Sequence, residues 1–178
     1  MSPVTDKAAL STHQPHPYAG KAGIATAQNG HSGPLGIEQY QKLAEFRFQL
    51  RKFLQFSHLA AEGCGIRPQQ YQLLLCVCGM PSELDPTIAN VAARMMLKHN
   101  SAVELVDRTL EQGLLRRCPD PTDHRRILLR VTNLGERLLA SLADYHMQEL
   151  EQTGPELIRA LRRVLSMKPT NGKTKTEQ

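Results

Sequence analysis

From Gly36 onward, apolar residues recur at spacings of three and four. Leu43, Phe46, Leu50, Phe53 and Leu54 form one stripe, with Lys42, Glu45, Arg51 and Lys52 off it, and this period predicts a helix to about Glu62. Gly63-Cys64-Gly65 ends it, glycine being a common residue just past a helix C-terminus. All four phenylalanines lie between Phe46 and Phe56, so the helix carries more apolar surface than a small domain covers. Pro68 opens a second helical run, to Met80, at the first-turn position that tolerates proline, and Pro81 closes it. Thr87 is the predicted N-cap of a short third helix. A fourth runs from about Asn100 to Gln112, where Gly113 stops it. The link between the third and fourth, Met96 to His99, has the length a helix-turn-helix requires.

Downstream of Gly113 the period changes. LLRRC (114–118) and RRILLRV (125–131) flank PDPTDH (119–124), and Ile127, Leu129 and Val131 alternate with Leu128 and Arg130. Pro119, Asp120 and Pro121 are turn formers, so the segment predicts a β-hairpin with a long, polar, flexible tip. Thr132 caps a further helix that carries Leu134, Leu138, Leu139, Leu142 and Tyr145 to about Glu151. Gly154-Pro155 predicts a break there, and PELIRALRRVL (155–165) then reads as a last amphipathic helix. The fold class is mainly α with a small β-wing (α+β): a winged helix-turn-helix lobe plus a helical region.

Composition refines the ends of the chain. The first 36 residues hold five glycines, four prolines and, among charged residues, only Asp6, Lys7 and Lys21. Residues 1–35 therefore read as a flexible N-terminal arm and residues 168–178 as a polar C-terminal tail. The net charge of +5 is modest, but its distribution is not even: none of the 14 arginines precedes Arg47, and six lie between Arg94 and Arg126. Arginines clustered around a hairpin favour phosphate contact and hence nucleic acid.

The sequence also excludes several classes. No apolar run approaches the ~20 residues that span a bilayer, and the N-terminus lacks the plan of a secretory signal. A cytoplasmic protein without a membrane partner is expected, its four cysteines reduced. No CxxC occurs, and Cys76 and Cys78, about 200° apart on a helix, cannot share a metal. They read as buried small hydrophobes, and neither metal nor cofactor is expected. No GxGxxG, P-loop, HExxH or GxSxG element is present, so the chain does not read as an enzyme.

The order of elements, with VDRTLEQGLLRR (106–117), DPTDHRR (120–126) and ILLRVTNLGERLL (127–139), resembles the MarR family of bacterial winged helix-turn-helix transcriptional regulators. The family's D-x-R wing tip appears as Asp123-His124-Arg125, and the resemblance covers about residues 36–167. It implies a homodimeric regulator of double-stranded DNA, by default a repressor, acting on a pseudo-palindromic operator. Residues 67–131 would be the DNA-binding lobe, and residues 36–66 with 132–167 the helical dimerisation region. Leu43, Phe46, Leu50 and Phe53, with Leu157, Ile158, Leu161 and Val164, supply the apolar surface for the dimer.

On the same reading the fourth helix packs inward through Ala102, Leu105, Val106 and Thr109. It turns His99, Asn100, Ser101, Val103, Glu104 and Asp107 to the major groove, with Lys98 and Arg108 as its basic residues. Glu104 and Asp107 are repelled by phosphate, so they must face base edges such as cytosine N4 or pair with a nearby arginine. Arg125 is expected in the minor groove and Arg116, Arg117 and Arg126 on phosphates. Asp123 orients an arginine or ties the loop.

The family resemblance further implies release by a small aromatic or anionic effector, for which Phe53, Phe56, His58 and Tyr71 are candidate cleft residues. His146 is expected at the surface. Two other readings of the chain exist: a thiol-oxidation sensor of the same fold using Cys64 or Cys118, or a winged-helix module for protein contacts without specific DNA binding.

Overall fold

The computed structural model describes residues 35–167, so the tail at 168–178 and all but the last residue of the N-terminal arm lie outside the described residues. Five helices and one hairpin follow in the predicted order: α1 (Ile37–Gly63), α2 (Pro68–Cys78), α3 (Ile88–Arg94), α4 (His99–Glu111), β1 (Leu115–Pro119), β2 (Ile127–Val131) and α5 (Asn133–Leu165).

Local chemistry sets most of these boundaries. The Thr87 hydroxyl accepts from the Asn90 amide at 3.3 Å and starts α3. Gly113, at φ +69°, ends α4, and Leu114 N–H then returns to the Thr109 carbonyl at 3.2 Å. Gly65, at φ +78°, does the same for α1, with Ile66 N–H donating to Ala61 O at 3.1 Å. The Thr132 hydroxyl accepts from Gly135 N–H at 3.2 Å at the start of α5 and donates to Gly113 O at 2.6 Å.

The core gathers Leu73 and Leu74 of α2, Val91 of α3, Leu105 and Val106 of α4, Leu115 and Leu129 of the hairpin, and Leu139 and Leu142 of α5. One apolar interior thus spans the helix-turn-helix, the base of the wing and the first half of α5. Beyond it, α1 and α5 run antiparallel, with Ser57 beside His146 and Lys52 beside Glu156. Among the described residues no helix is long and apolar enough to cross a membrane.

Four expectations are corrected. The helix does not break at Gly154-Pro155; α5 continues through Pro155 to Leu165. The residue before the proline is a glycine, so the clash of the ring with a preceding Cβ is absent. Thr153 adds a hydrogen bond from its hydroxyl to the Glu149 carbonyl at 2.9 Å, and α1 backs both halves of the helix. His146 is buried rather than at the surface, because its ring stacks on Tyr71 with centroids 4.7 Å apart beneath Phe53 and Phe56. Cys78 is exposed and Cys76 half-buried, since α2 turns only its Leu73, Leu74 and Val77 side to the core. In β2 strict alternation fails: both Leu128 and Leu129 are buried, while Ile127, at the tip end, is exposed.

Gly135 sets the first turn of α5 tightly against Leu114 and Val131 at the base of the hairpin. A Cβ there would fall 2.7 Å from Val131 Cγ1 and closer still to the Leu114 carbonyl oxygen. Gly135→Ala is therefore expected to destabilise the fold by about 1–3 kcal/mol through overpacking. Gly63→Ala, where a Cβ meets nothing within 4 Å, is expected to be neutral or stabilising by up to about 1 kcal/mol. Urea unfolding of the two variants checks this, and equal stabilities would contradict the close approach.

Candidate nucleic-acid interface

Two elements bear the candidate residues, the exposed side of α4 and the hairpin. On α4, Ala102, Leu105, Val106 and Thr109 are buried, which turns Asn100, Glu104 and Asp107 outward. Lys98, His99, Asn100, Ser101, Glu104 and Arg108 are exposed, and Val103 and Asp107 are half-buried. The helix starts without a side-chain cap, so its first-turn N–H groups and the positive end of its dipole are open to an anion. Beneath it, Gln70 is buried and donates to Gln112 Oε1 at 2.8 Å, while Thr109 donates to the Leu105 carbonyl at 2.7 Å. The Thr109 bond lies within α4, while Gln70, which also donates to Thr109 Oγ1 at 3.5 Å, ties α2 to α4 and to Gln112 just past it.

The tip of the hairpin, expected to be flexible, is laced by hydrogen bonds and an ion pair. The cause is Asp120, whose carboxylate is buried among the groups it binds. Its Oδ1 accepts from the Thr122 hydroxyl at 2.7 Å, the Thr122 amide at 2.8 Å and the Asp123 amide at 3.3 Å. Its Oδ2 lies 3.2 Å from Arg126 Nη1. Asp120 N–H donates to Arg126 O at 3.0 Å, Arg126 N–H to Asp123 O at 2.9 Å, and Arg125 N–H to Asp123 Oδ1 at 3.0 Å. Asp123 thus ties the loop through its neighbour's backbone and orients no guanidinium.

The braced tip is in turn fastened to the helix-turn-helix. Arg126 Nη2 reaches Asp85 Oδ2 at 2.5 Å, just before α3, and Leu129 N–H donates to Pro86 O at 2.8 Å. On the other flank, Arg117 Nη2 lies 2.6 Å from Asp107 Oδ1 and joins β1 to the outward side of α4. Arg117 and Arg126, expected on phosphates, are therefore held by carboxylates of their own chain. Arg125 is exposed and forms no ion pair among the described residues, while Arg116 donates to Cys118 Sγ at 3.1 Å.

Sequence reasoning missed three residues of this surface. Asp85 and Asp120 look like ordinary turn aspartates, and only the tertiary fold brings Arg126 between them. Arg130 stands directly across from Arg116 in the antiparallel register, and both are exposed. Like charges opposed across a pair of strands are unfavourable in the free protein, which makes this pair a receptive place for a phosphate. Once the hairpin register is known, the spacing of the two arginines from the turn finds it.

The other candidate groups separate in space. Phe53, Phe56 and Tyr71 pack together around His146, but His58 is exposed and outside that cluster. His146 Nδ1 donates to the Leu142 carbonyl at 2.6 Å and Nε2 bonds the Ser57 hydroxyl at 2.8 Å, so the cluster has a satisfied polar centre. Leu43, Phe46, Leu50, Leu157 and Val164 are half-buried in the α1–α5 seam, whereas Ile158 and Leu161 are exposed. Ile37 at 75% and Leu165 at 74% are more exposed still, at the ends of the two helices. Burial pushes the half-buried Cys76 thiol up, and partial desolvation of the sulfur with the nearby Glu136 carboxylate pushes the more exposed Cys78 up, which disfavours a reactive thiolate at either.

Comparison with known proteins places this geometry. The sequence model described as the MarR family matches residues 65–126, the stretch from the end of α1 to the wing tip. A Thauera aromatica protein whose name assigns it to transcriptional regulation of the hcr operon is 29% identical over 103 residues, 58% of this chain. The match spans 60% of that relative's length. Among solved structures, a MarR family protein from Bacillus stearothermophilus superposes with a TM-score of 0.58 at 21% identity, over 74% of this chain and 94% of that one. A complex of S. aureus MepR with DNA gives 0.52 at 20% identity, over 69% and 98%. At these identities the structural likeness is one of fold.

The bracing has a pH signature. The Thr122 hydroxyl and amide hold the Asp120 carboxyl below its ordinary value of 3.8, with the Asp123 amide and Arg126 assisting. A lowered carboxyl pKa contributes stability that is fully present above the unfolded value and is lost as pH falls through the folded one. The tip should therefore keep its order on acidification to about pH 3.8 and loosen only below it. The Thr122 amide resonance followed against pH checks this; a midpoint at or above 3.8 would contradict the brace.

Proposed function

We propose that the chain, whose residues 65–126 match the sequence model of the MarR family, is a DNA-binding transcriptional regulator of that family. The family is one of regulators, not enzymes. In the proposal two copies pair through α1 and the second half of α5 and bind a pseudo-palindromic operator, with half-sites about one helical turn apart. Each α4 enters a major groove, and each wing presents Arg125 to the adjacent minor groove. Repression is the proposed outcome, by occlusion of a promoter.

One observation carries the reading. Arg117 and Arg126 are neutralised internally, yet the hairpin they brace holds Arg125 out, exposed and without an ion pair among the described residues. A nonspecific polycation would leave its charges free. A shaped probe spends most of them on its own rigidity and offers one guanidinium, which suits the concentrated potential of a narrow minor groove.

The exposed apolar residues at the ends of α1 and α5 support the dimer. Ile37, Tyr40, Ile158, Leu161 and Leu165 are exposed among the described residues, and their combined surface suits a second copy better than water. Release by a small aromatic or anionic effector is assigned to the Phe53, Phe56 and Tyr71 cluster, which joins α1 and α5 to α2 of the lobe. A ligand that displaced the packing around His146 would change the angle between dimer and lobe, and with it the separation of the two recognition helices.

Arg125→Ala should weaken operator binding about tenfold or more, at least 1.4 kcal/mol, with no change in thermal midpoint. A mobility-shift titration with unchanged affinity would remove the wing from the interface. Wild-type affinity should fall on the order of 10³-fold between 50 and 200 mM salt. In solution the native mass should be twice that of the 19.9 kDa chain; a monomer mass would contradict the dimer.

A further inference from the structure

Of the two carboxylates that α4 turns outward in its middle, one is neutralised and one is not. Asp107 is held by Arg117 at 2.6 Å. Glu104 is exposed and takes part in none of the ion pairs among the described residues, which join Lys42 to Glu38, Lys52 to Glu156, Arg117 to Asp107, and Arg126 to Asp85 and Asp120. Arg108, four residues on, is not drawn to it. Glu104 stands one helical turn from Asn100 on the side opposite the buried Ala102, Leu105, Val106 and Thr109.

We propose that Glu104 is a specificity-determining residue that reads a cytosine in each half-site of the operator, an inference that rests on the DNA-binding function above. A free carboxylate on a helix seated in the major groove faces phosphates that repel it and base edges that are mostly acceptors. Guanine presents N7 and O6, thymine O4, and adenine places its N7 acceptor beside its amino group. Cytosine presents an N4 amino donor with no acceptor of its own beside it, and glutamate is a known partner for it. At guanine and thymine the carboxylate loses its hydration and gains nothing, and at adenine the N7 acceptor opposes what the amino donor offers, so the residue selects by penalty as much as by attraction. Asp107 cannot do the same, because Arg117 already satisfies it.

The arrangement also explains why so acidic a side is tolerated on a recognition helix. The Asp107–Arg117 pair removes one repulsive charge and fastens the wing with it. The remaining carboxylate lowers affinity for DNA in general and restores it at the correct base. Loss of Glu104 is then expected to raise nonspecific affinity while discrimination falls, the opposite of losing a phosphate contact.

The test is selection of bound DNA from a random pool by the full-length wild type, Glu104→Gln, Glu104→Ala and Asp107→Asn, with thermal melting of each as the folding control. The wild type should select a motif with a strongly preferred cytosine in each half-site. Glu104→Ala should lose roughly tenfold or more of the discrimination at that position, within the range for a good side-chain–base pair. Glu104→Gln should move the preference toward adenine, whose N6 and N7 suit an amide. Asp107→Asn should leave the chosen base unchanged. A wild-type motif in which every position survives both Glu104 substitutions overturns the assignment alone. If the folded wild type selects no motif at all, the DNA-reading function fails and the assignment falls with it.

Discussion

The carboxylate of Asp120 is the group on which the architecture of the DNA-binding side depends. Two-residue turns fix a hairpin by backbone geometry, but the segment between β1 and β2, residues 120–126, is too long for that. Asp120 substitutes for such a turn. Three short-range donors from Thr122 and Asp123 fold the tip around it, and Arg126 joins it to Asp85 ahead of α3. With Arg117 on Asp107 at the other flank, the wing and the helix-turn-helix form one body. The Arg126–Asp85 and Arg117–Asp107 pairs are exposed enough to contribute little alone; their geometric effect comes from being placed at both ends of one hairpin.

That constraint accounts for the distribution of charge. The basic cluster between Arg94 and Arg126 looks in sequence like a surface for phosphates. In the fold, Arg117 and Arg126 serve the scaffold, Arg116 sits against Cys118 and across from Arg130, and Arg125 is left to the solvent. Function in the proposed regulator thus follows from which arginines are not free. The same holds on α4, where a neutralised Asp107 leaves Glu104 as the free carboxylate in the middle of its outward side.

Much of this was legible in the residues. Hydrophobic periodicity, Thr87 and Thr132 as caps, and Gly113 as a stop identified the helices, and the inward side of α4 was found residue by residue. The same periodicity could not reveal that α5 runs through Pro155, because continuity there depends on a glycine before the proline and on α1 behind it. Nor could it find His146, whose burial requires Ser57 and Tyr71 from two other helices. Asp85, Asp120 and Arg130 were missed for one reason. Their roles arise from pairings over long separations or from a strand register, and neither leaves a periodic trace.

The central claim is that the wing tip of the free protein is held rigidly against the helix-turn-helix before any DNA arrives. Backbone ¹⁵N relaxation measures this directly. Order parameters for Asp120, Thr122, Asp123, Arg125 and Arg126 are predicted at about 0.8 or above, close to the roughly 0.85 of rigid backbone. Values below about 0.6, the range of flexible segments, would show a tip ordered only on binding and would contradict the account.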